Sequence, residues 1–302
     1  MSEGVLILAG ATASGKTELA LELAVAYDAE IVGADSRQIY SGMPIGTAAP
    51  TPEQIARAPH HLVGFLDPAQ RYSAGRYASD AVAAIRDIIK RGKRAIVVGG
   101  TGFYIRALLG GIDLAPQYDE ALRERLAREA RVHPAEFLYQ WLTTRDATRA
   151  RALHSGDSYR VLRALEVALA QRTLPSLAEQ ARTLRGEGLG WLLVFLDVPQ
   201  IEIDRRIGAR TERMLATGLL DEAERIGESA VAANAVGYPQ ALAHLRGWST
   251  IPELRASLER ATRRYARRQR AWFRAEPDTR WCAPEALHEM VREKLGWSPK
   301  RD

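Results

Sequence analysis

The chain has 302 residues, of which 46% are hydrophobic and 26% charged, and its formal net charge is +5. This composition excludes a disordered chain and predicts a globular protein of one or two domains whose basic surface attracts anions. A single cysteine, Cys282, excludes an intrachain disulfide, and the five-residue apolar run near the start is too short to cross a membrane, so we expect a cytoplasmic protein with no membrane partner.

The first element is an apolar strand followed by a glycine-framed turn. Residues 5–9 (VLILA) predict a buried parallel strand, and residues 10–17 (GATASGKT) match the phosphate-binding pattern G-x-x-x-x-G-K-[ST]. In such a P-loop the backbone N–H groups and the next helix surround a diphosphate, the lysine adds a charge, and the threonine hydroxyl binds Mg²⁺. The pattern assigns diphosphate binding to Gly10, Ala11, Thr12, Ala13, Ser14, Gly15, Lys16 and Thr17, with Thr17 as metal ligand.

A carboxylate follows the second predicted strand. A helix over 16–27 and a strand over 30–34 complete the start of a βαβ unit, and Asp35 comes directly after that strand. Ligands of doubly wound sheets bind at the carboxyl edge, where Asp35 should lie beside the P-loop. It could hold Mg²⁺, position water or accept a proton, or it could only cap a turn.

The next elements are a histidine pair, a helix and a glycine-rich strand. His60 and His61 point to opposite faces of a strand, so we expect no metal there. A helix is predicted over 73–91 and a buried strand over 94–100. Its glycine tip, followed by Thr101, indicates either a tight turn or a third loop at the phosphate edge.

Residues 119–182 are rich in arginine and alanine and predict a helical insertion that ends near 186–188. Asp157 is a plausible N-cap, and Arg160 and Arg163 project together from the helix that follows it. The pair suits phosphate contacts, although an ordinary solvated face explains it equally well.

The sheet resumes with a strand over 191–196, followed by a helix over 202–218. Arg206, Arg210 and Arg213 recur along this helix, and one of them could reach back to the phosphates, or all three could be solvated. A turn is predicted over 234–239.

The densest basic segment is 255–274, where eight arginines accompany one glutamate, Glu259. At helical spacing, six arginines fall in a stripe about 120° wide, and the aromatic residues fall on the opposite, packing face. A stripe of one sign favours contact with a phosphate backbone over a merely solvated face. The stripe consists of Arg260, Arg263, Arg264, Arg267, Arg270 and Arg274, and the packing face of Leu258, Tyr265, Trp272 and Phe273. Residues 284–302 predict a short helix with a basic tail.

Several of these segments together resemble the tRNA dimethylallyltransferase family over nearly the whole chain. They are GATASGKT, ADSRQIYSGMPIGTA, HHL, YSA and VGGTGFY. Ala11 stands where the family usually has proline, and Gly156 where it has asparagine. The resemblance implies an α/β P-loop NTPase-like core with a parallel sheet flanked by helices, plus an all-helical insertion domain. The expected segments are 1–115 and 189–302 for the core, the latter with the basic C-terminal helices, and 116–188 for a tRNA-binding insertion.

The resemblance also implies an activity. The expected reaction moves a dimethylallyl group from its diphosphate to N6 of the adenine 3′ of the anticodon in tRNA. Asp35 would be the general base, while the P-loop, Arg210 and Mg²⁺ near Thr17 would hold the leaving diphosphate. A monomer is expected. The residues implied in tRNA binding are Asp35, Ser36, Arg37, Gln38, Thr101, Arg123, Arg160, Arg163, Gly237, Tyr238, Arg267, Arg268, Gln269, Trp272 and Arg274.

Three other functions are compatible with parts of the sequence. An isopentenyltransferase of free adenine nucleotides would share the P-loop and Asp35 but would not need the insertion or the arginine stripe. Composition and a P-loop alone would make a nucleotide kinase or ATPase the default interpretation. An RNA-binding adaptor with an inactive P-loop would not need intact Lys16, Thr17 and Asp35.

Overall fold

The computed structural model describes residues 4–111, 119–170 and 182–300. The chain forms two compact units: a core unit of residues 1–111 and 182–302, and an insertion unit of residues 112–181. No helix in the described ranges is both long and apolar enough to cross a membrane.

A six-stranded parallel sheet forms the centre of the core unit, with strand order β3-β2-β4-β1-β5-β6. Its inner strands are mostly apolar, as expected for strands covered on both faces, with Glu30 as a charged exception in β2. Because every pairing is parallel, the strands all end at the same edge. The strands are β1 Val5–Gly10, β2 Ala29–Gly33, β3 His60–His61, β4 Arg94–Gly99, β5 Trp191–Leu196 and β6 Arg280–Cys282.

Helices lie on both sides of this sheet and make up the insertion unit. In chain order, those of the described residues are α1 Lys16–Tyr27, α2 Pro44–Thr47, α3 Pro52–Arg57, α4 Ala74–Lys90, α5 Gly102–Leu109, α6 Glu120–Val132, α7 Ala135–Arg145, α8 Ala147–Arg151, α9 Ser158–Ala170, α10 Gln200–Ala216, α11 Leu219–Ile226, α12 Tyr238–Leu245, α13 Ile251–Arg274 and α14 Leu287–Leu295. Short 3-10 helices cover Val231–Asn234 and Pro284–Ala286.

Two hydrophobic clusters stabilise the core unit. One joins α1 and α14 to a face of the sheet through side chains such as Leu21, Leu8 and Leu287. The other lies among α2, α11, α12 and α13 and includes Tyr238 and Leu258. The second cluster contains side chains of the helices α10, α11, α12 and α13 and positions them near the carboxyl edge of the sheet, where the predicted site residues lie.

The predicted parallel sheet flanked by helices is confirmed, and its four longer strands match the predicted runs to within a residue or two. The short helices α2 and α3 and the edge strand β6 were not predicted. The predicted boundary after residue 115 lies outside the described residues. The end of the insertion at 188 stays a prediction, while residues 182–188 group with the core unit. There, the N–H of Leu184 donates to the carbonyl of Leu108 at 2.8 Å, and Arg86 donates to the carbonyl of Glu187 at 2.6 Å.

The insertion unit is helical throughout its described part. Its apolar side chains, among them Leu126, Leu142, Val161 and Leu165, form a separate small core. The predicted cap is present, since the Asp157 carboxylate accepts the N–H of Arg160 at 3.2 Å as α9 begins.

Candidate active site

The glycine-framed turn of residues 10–17 curls between β1 and α1. Gly10 ends β1 and Lys16 begins α1. Gly15 has φ +88° and Ala13 φ +65°, both in the left-handed region. A Cβ on Gly10 would lie 2.6 Å from Oγ of Ser14, so only glycine fits at the start of the turn.

Two polar side chains of this loop, those of Ser14 and Lys16, are buried, and not all of their hydrogen-bonding groups have partners among the described residues. The carbonyl of Ala11 accepts hydrogen bonds from the N–H of Ser14 at 3.1 Å and from Nζ of Lys16 at 3.3 Å. Oγ of Ser14 is buried and has no partner among the described residues. Burial lowers the pKa of Lys16 to about 8, an effect that Asp35 opposes and Arg210 adds to. A bound anion would relieve both the unpaired hydroxyl and the desolvated ammonium.

Gln269 of α13 anchors the loop to the end of β4. The N–H of Thr12 donates to Oε1 of Gln269 at 2.7 Å, and Nε2 of Gln269 donates to the carbonyl of Gly100 at 3.0 Å. Gln269 is only 5% exposed, so its amide serves the fold through these two hydrogen bonds, and its contact with tRNA stays a prediction. The glycine pair is also explained by close packing, since a Cβ on Gly99 would lie 2.0 Å from the carbonyl oxygen of Ala34.

Two arginines of α10 reach toward this edge. Nη1 of Arg206 donates to the carbonyl of Ser14 in the P-loop at 2.9 Å. Nη2 of Arg210 donates to the carbonyl of Thr47 at 3.3 Å, and burial lowers the pKa of its guanidinium. Arg213 is exposed. The helix therefore supplies a loop-binding arginine, Arg206, in addition to Arg210, the arginine that the family resemblance indicates.

Asp35 lies just beyond β2, as the topology predicts. Its Oδ1 accepts hydrogen bonds from the N–H groups of Arg37 at 2.8 Å and Gln38 at 3.4 Å, so the turn-capping role is real. Its Oδ2 accepts no hydrogen bond from the described residues. The charge of Asp35 raises the pKa of both Lys16 and Arg210, which shows that the three groups are neighbours. One carboxylate oxygen is thus structural and the other is available for chemistry.

A cavity of about 190 Å³ brings Asp35 together with the P-loop and Arg210. Polar groups line one part of it, and Met214, Val236 and Leu258 give another part an apolar wall. This combination suits a ligand with a charged end and a small hydrocarbon end. The lining residues are Thr12, Asp35, Arg37, Gly46, Thr47, Arg210, Thr211, Met214, Asn234, Ala235, Val236, Gly237, Leu258, Thr262, Tyr265 and Arg268.

Tyr265 is a cavity residue that the sequence placed on a packing face. Its ring lines the cavity, and the guanidinium of Arg268 lies 5.8 Å from the ring centroid. Burial, and then the negative charge of Asp35, raise the pKa of its hydroxyl. Tyr265 thus faces inward, as predicted, but it lines a cavity, which the sequence did not indicate.

Two further predicted tRNA contacts hold the loops around Asp35. Oγ1 of Thr101 accepts the N–H of Ser36 at 2.9 Å. Nε2 of Gln38 donates to the carbonyls of Ala48 at 2.9 Å and Thr47 at 3.2 Å. These side chains fix the shape of the cavity rim.

The predicted pair Gly237 and Tyr238 divides between two roles. Gly237 lines the cavity, with φ +117°. Tyr238 is fully buried, and its hydroxyl donates to Glu222 at 2.7 Å. The side chain of Tyr238 therefore faces the interior of the core unit, and its contact with RNA stays a prediction.

The arginine stripe on α13 is only partly free. Nη2 of Arg263 donates to Glu259 at 2.7 Å, and Nη2 of Arg270 donates to Asp197 at 2.7 Å. These two residues are paired within the chain, and the binding of a phosphate backbone by the stripe stays a prediction. The remaining stripe residues and Arg268 are exposed, namely Arg260, Arg264, Arg267, Arg268 and Arg274.

Trp272 is half-buried beside this stripe. It packs in the space left by Gly102, where a Cβ would lie 2.1 Å from the indole ring. The guanidinium of Arg106 lies 4.4 Å from a ring centroid of Trp272, and Phe103 approaches it edge-on at 6.4 Å. Phe103 is 51% exposed, so an aromatic surface continues from Trp272 to solvent.

Thr17 lines a second, smaller cavity of about 20 Å³ that also contacts Gln38 and His60. No described residue hydrogen-bonds to its hydroxyl. The two adjacent histidines have separate partners: His60 contacts the carbonyl of Ala58, and His61 pairs with Glu30 at 2.8 Å. Within the described ranges, no group of three histidine, cysteine or acidic side chains could hold a metal ion.

In the insertion unit, two of the three predicted arginines line one cleft. The cleft has a volume of about 130 Å³, and Arg123, Arg163 and Tyr159 are among its lining residues. Arg163 pairs with Glu166 at 2.5 Å, whereas Arg160 is exposed and approaches Asp157 at 3.4 Å. Arg160 and Arg163 therefore lie on the same helix, as predicted, but each interacts with a different acidic side chain.

Known families and proteins resemble the whole chain. A family model described as IPP transferase matches residues 38–276, and one described as isopentenyl transferase matches residues 3–62. A tRNA dimethylallyltransferase of Anaeromyxobacter dehalogenans (strain 2CP-C) is 44% identical over 96% of this chain and 99% of the relative. A tRNA dimethylallyltransferase of Geobacter sulfurreducens is 40% identical over 95% of this chain and 94% of the relative.

Solved structures share the fold. The tRNA isopentenylpyrophosphate transferase of Bacillus halodurans has a TM-score of 0.70 and 30% identity, covering 98% of this chain and 97% of that one. A eukaryotic dimethylallyltransferase acting on tRNA has a TM-score of 0.78 at 22% identity, covering 100% of this chain and 82% of that one, which is a likeness of fold.

Proposed function

The chain belongs to the tRNA dimethylallyltransferase family and transfers a dimethylallyl group to tRNA, and we propose that the cavity around Asp35 is where the transfer occurs. The observation that carries this proposal is the meeting of Asp35, the P-loop residue Thr12 and Arg210 in one cavity with an apolar wall. The substrates would be dimethylallyl diphosphate and the adenine 3′ of the anticodon.

The diphosphate would bind at the P-loop. Its N–H groups and the buried ammonium of Lys16 supply donors and positive charge, and the unpaired Oγ of Ser14 offers a further donor. Arg206 holds the loop through the Ser14 carbonyl. The dimethylallyl end would then lie against the apolar wall of Met214 and Leu258.

Asp35 would act as the general base. The lone pair of the adenine N6 is delocalised, so a carboxylate within hydrogen-bond reach must accept its proton as the new bond forms. Oδ2 is the oxygen available for this, since Oδ1 caps the turn. In the step, N6 bonds to C1 of the dimethylallyl group, the C1–O bond breaks, the electron pair leaves with the diphosphate, and the proton passes to Asp35.

Arg210 and Lys16 would stabilise the diphosphate as it leaves. Charge accumulates on its oxygens as the C–O bond breaks, and donors already in position around it lower the barrier. The burial that lowers the pKa of both groups also strengthens their interaction with an anion.

Mg²⁺ fits this arrangement through Thr17. The ion prefers oxygen ligands and usually keeps waters and substrate phosphates, so a single protein hydroxyl is an adequate anchor. The Thr17 hydroxyl has no hydrogen bond to the described residues and is available for that purpose. When bound, the ion would neutralise charge on the diphosphate.

RNA binding would involve both units. In the core unit, the exposed arginines of α13, of which Arg268 lines the cavity, and the half-buried Trp272 supply charge and an aromatic face, a combination typical of single-stranded RNA binding. In the insertion unit, Arg123, Arg160 and Arg163 would contact phosphates. A base must leave its stack to reach the cavity, which a loop permits at low cost.

Mass spectrometry of product nucleosides tests the proposal. The protein would be incubated with Mg²⁺, dimethylallyl diphosphate and unmodified tRNA with adenine 3′ of the anticodon, with parallel reactions containing AMP in place of tRNA, or ATP without the allyl donor. We expect an adenosine heavier by one C5H8 unit in the tRNA reaction alone. Modified AMP, or ATP turnover without prenylation, would contradict the proposal.

A further inference from the structure

Glu222, on α11, is a buried carboxylate that the proposed reaction does not use. It is 1% exposed. Its Oε1 accepts hydrogen bonds from the hydroxyl of Tyr238 and the N–H of Gly46, both at 2.7 Å, and its Oε2 accepts the N–H of Ile45 at 2.9 Å. A buried carboxylate is tolerated only where such donors replace water, so these three groups form a specific environment for it.

Two of the three donors belong to the first turn of α2. This helix has only four residues, too few to be stable alone, and the N–H groups of its first turn have no partner inside the helix. Glu222 supplies that partner and places a negative charge at the positive end of the helix. Tyr238 packs beside it so closely that a Cβ on Gly46 would lie 2.6 Å from the phenol ring.

The other end of α2 holds Arg210. The carbonyl of Thr47 accepts a hydrogen bond from Nη2 of Arg210 at 3.3 Å, and Nε2 of Gln38 donates to the same oxygen at 3.2 Å. Gly46 and Thr47 also line the cavity. A continuous set of contacts therefore runs from Glu222 through α2 to the guanidinium of Arg210.

We infer that Glu222 is a positioning residue for the transfer: it holds α2 where the carbonyl of Thr47 orients Arg210 toward the leaving diphosphate. The inference rests on the proposed function, in which Arg210 stabilises that group. A displaced guanidinium stabilises developing charge less well, because this kind of stabilisation depends on donors being in place beforehand. Loss of Glu222 should therefore lower kcat more than it changes the KM for dimethylallyl diphosphate.

The Glu222→Gln variant tests this with almost no change in side-chain volume. Its NH₂ group would face a backbone N–H or the Tyr238 hydroxyl, so at least one capping bond is lost. We expect kcat to fall about 10-fold and KM to change less than about 3-fold, as for a misplaced catalytic group. The matched control is Glu30→Gln, because Glu30 is 2% exposed and paired with Arg91 and His61 yet does not line the cavity. The control should keep native kcat.

The decisive readout is coupling to Arg210. In an Arg210→Ala enzyme, which we expect to be slower by about 10²-fold, adding Glu222→Gln should lower kcat by less than about 2-fold, because residues that act through one another are not additive. A full 10-fold loss in both backgrounds would overturn the inference. Native kcat in Arg210→Ala alone would instead contradict the proposed role of Arg210.

A second variant covers the case in which Glu222→Gln unfolds, as judged by circular dichroism. Tyr238→Phe removes one donor to Glu222 but leaves both backbone bonds, so kcat should fall by about 2- to 3-fold. That loss should disappear in the Arg210→Ala background. An equal loss in both backgrounds would show that Glu222 and Tyr238 support the fold without acting through Arg210.

Discussion

The backbone N–H of Thr12 donates a hydrogen bond to Oε1 of Gln269 at 2.7 Å, and this bond joins the phosphate-binding loop to α13 across 257 positions of the chain. Nε2 of the same side chain donates to the carbonyl of Gly100 at 3.0 Å. A single buried amide thus connects three segments at the carboxyl edge of the sheet. The P-loop is held by the helix that also lines the cavity.

Gln269→Leu should therefore destabilise the fold. The leucine leaves the N–H of Thr12 and the carbonyl of Gly100 buried without partners, for a loss of about 2–4 kcal/mol in the free energy of unfolding. Urea denaturation monitored by circular dichroism measures it. Arg267→Gln, at an exposed position of the same helix, is the control and should change stability by less than about 0.5 kcal/mol. Equal stability of the two variants would contradict the anchoring role.

The lowered pKa of Lys16 predicts a pH limit on substrate capture. Burial brings this pKa from 10.5 to about 8, so the free enzyme loses the ammonium charge as the pH rises through about 8. We expect kcat/KM for dimethylallyl diphosphate, which reports on the free enzyme, to fall above that pH. In Lys16→Arg the charge persists, so the fall should be absent even if the overall rate is lower. The same fall in both enzymes would contradict the assignment to Lys16.

Arg206 should contribute to diphosphate binding through the loop. Its Nη1 holds the carbonyl of Ser14 at 2.9 Å, and its Nε donates to Glu202 at 2.6 Å. Arg206→Ala should raise the KM for dimethylallyl diphosphate by about 3- to 10-fold, the effect of losing one charged hydrogen bond. Arg205 also pairs with Glu202 but is exposed, so Arg205→Ala is the control with native KM. Steady-state kinetics measure both KM values, and equal values for the two variants would contradict a role of Arg206 in diphosphate binding.

The ion pairs of α13 predict which arginines bind RNA. Arg264 and Arg267 are exposed, whereas Arg263 and Arg270 are paired with Glu259 and Asp197. The slope of log K against log salt for tRNA binding is negative, and replacing Arg267 with Gln should make it less steep by about 0.7, the value for one single-strand phosphate contact. Replacing Arg270 with Gln should leave the slope unchanged. Filter binding at several salt concentrations measures both, and the opposite pattern would contradict the assignment.

Local patterns predicted the parts of the fold that are continuous in sequence. The strand, loop and helix around Gly10 to Thr17 follow one another directly, so hydrophobic runs and glycine spacing were enough. Asp35 was placed by topology, because parallel strands end at one edge. The sequence did not indicate that one carboxylate oxygen of Asp35 caps the turn while the other is available for chemistry, because that division is visible only in the hydrogen bonds of the structure.

Contacts between distant segments escaped prediction. The amide of Gln269 has partners 257 and 169 positions away, and the four-residue helix α2 depends on Glu222, 176 positions from Gly46. No local pattern encodes these contacts. A helical wheel also separates inward from outward residues without telling core from cavity, and for that reason Tyr265 was assigned to packing.

Asp35→Asn tests the central claim that Asp35 accepts the proton from adenine N6. The amide keeps an oxygen for the N–H of Arg37, so the turn should persist, but it removes the basic Oδ2. We predict a fall in single-turnover prenylation of at least about 10²-fold, as expected for loss of a general base, with native affinity for tRNA and native unfolding temperature. Prenylation close to the native rate, or a loss of tRNA affinity that accounts for the whole effect, would contradict the role of Asp35 as base.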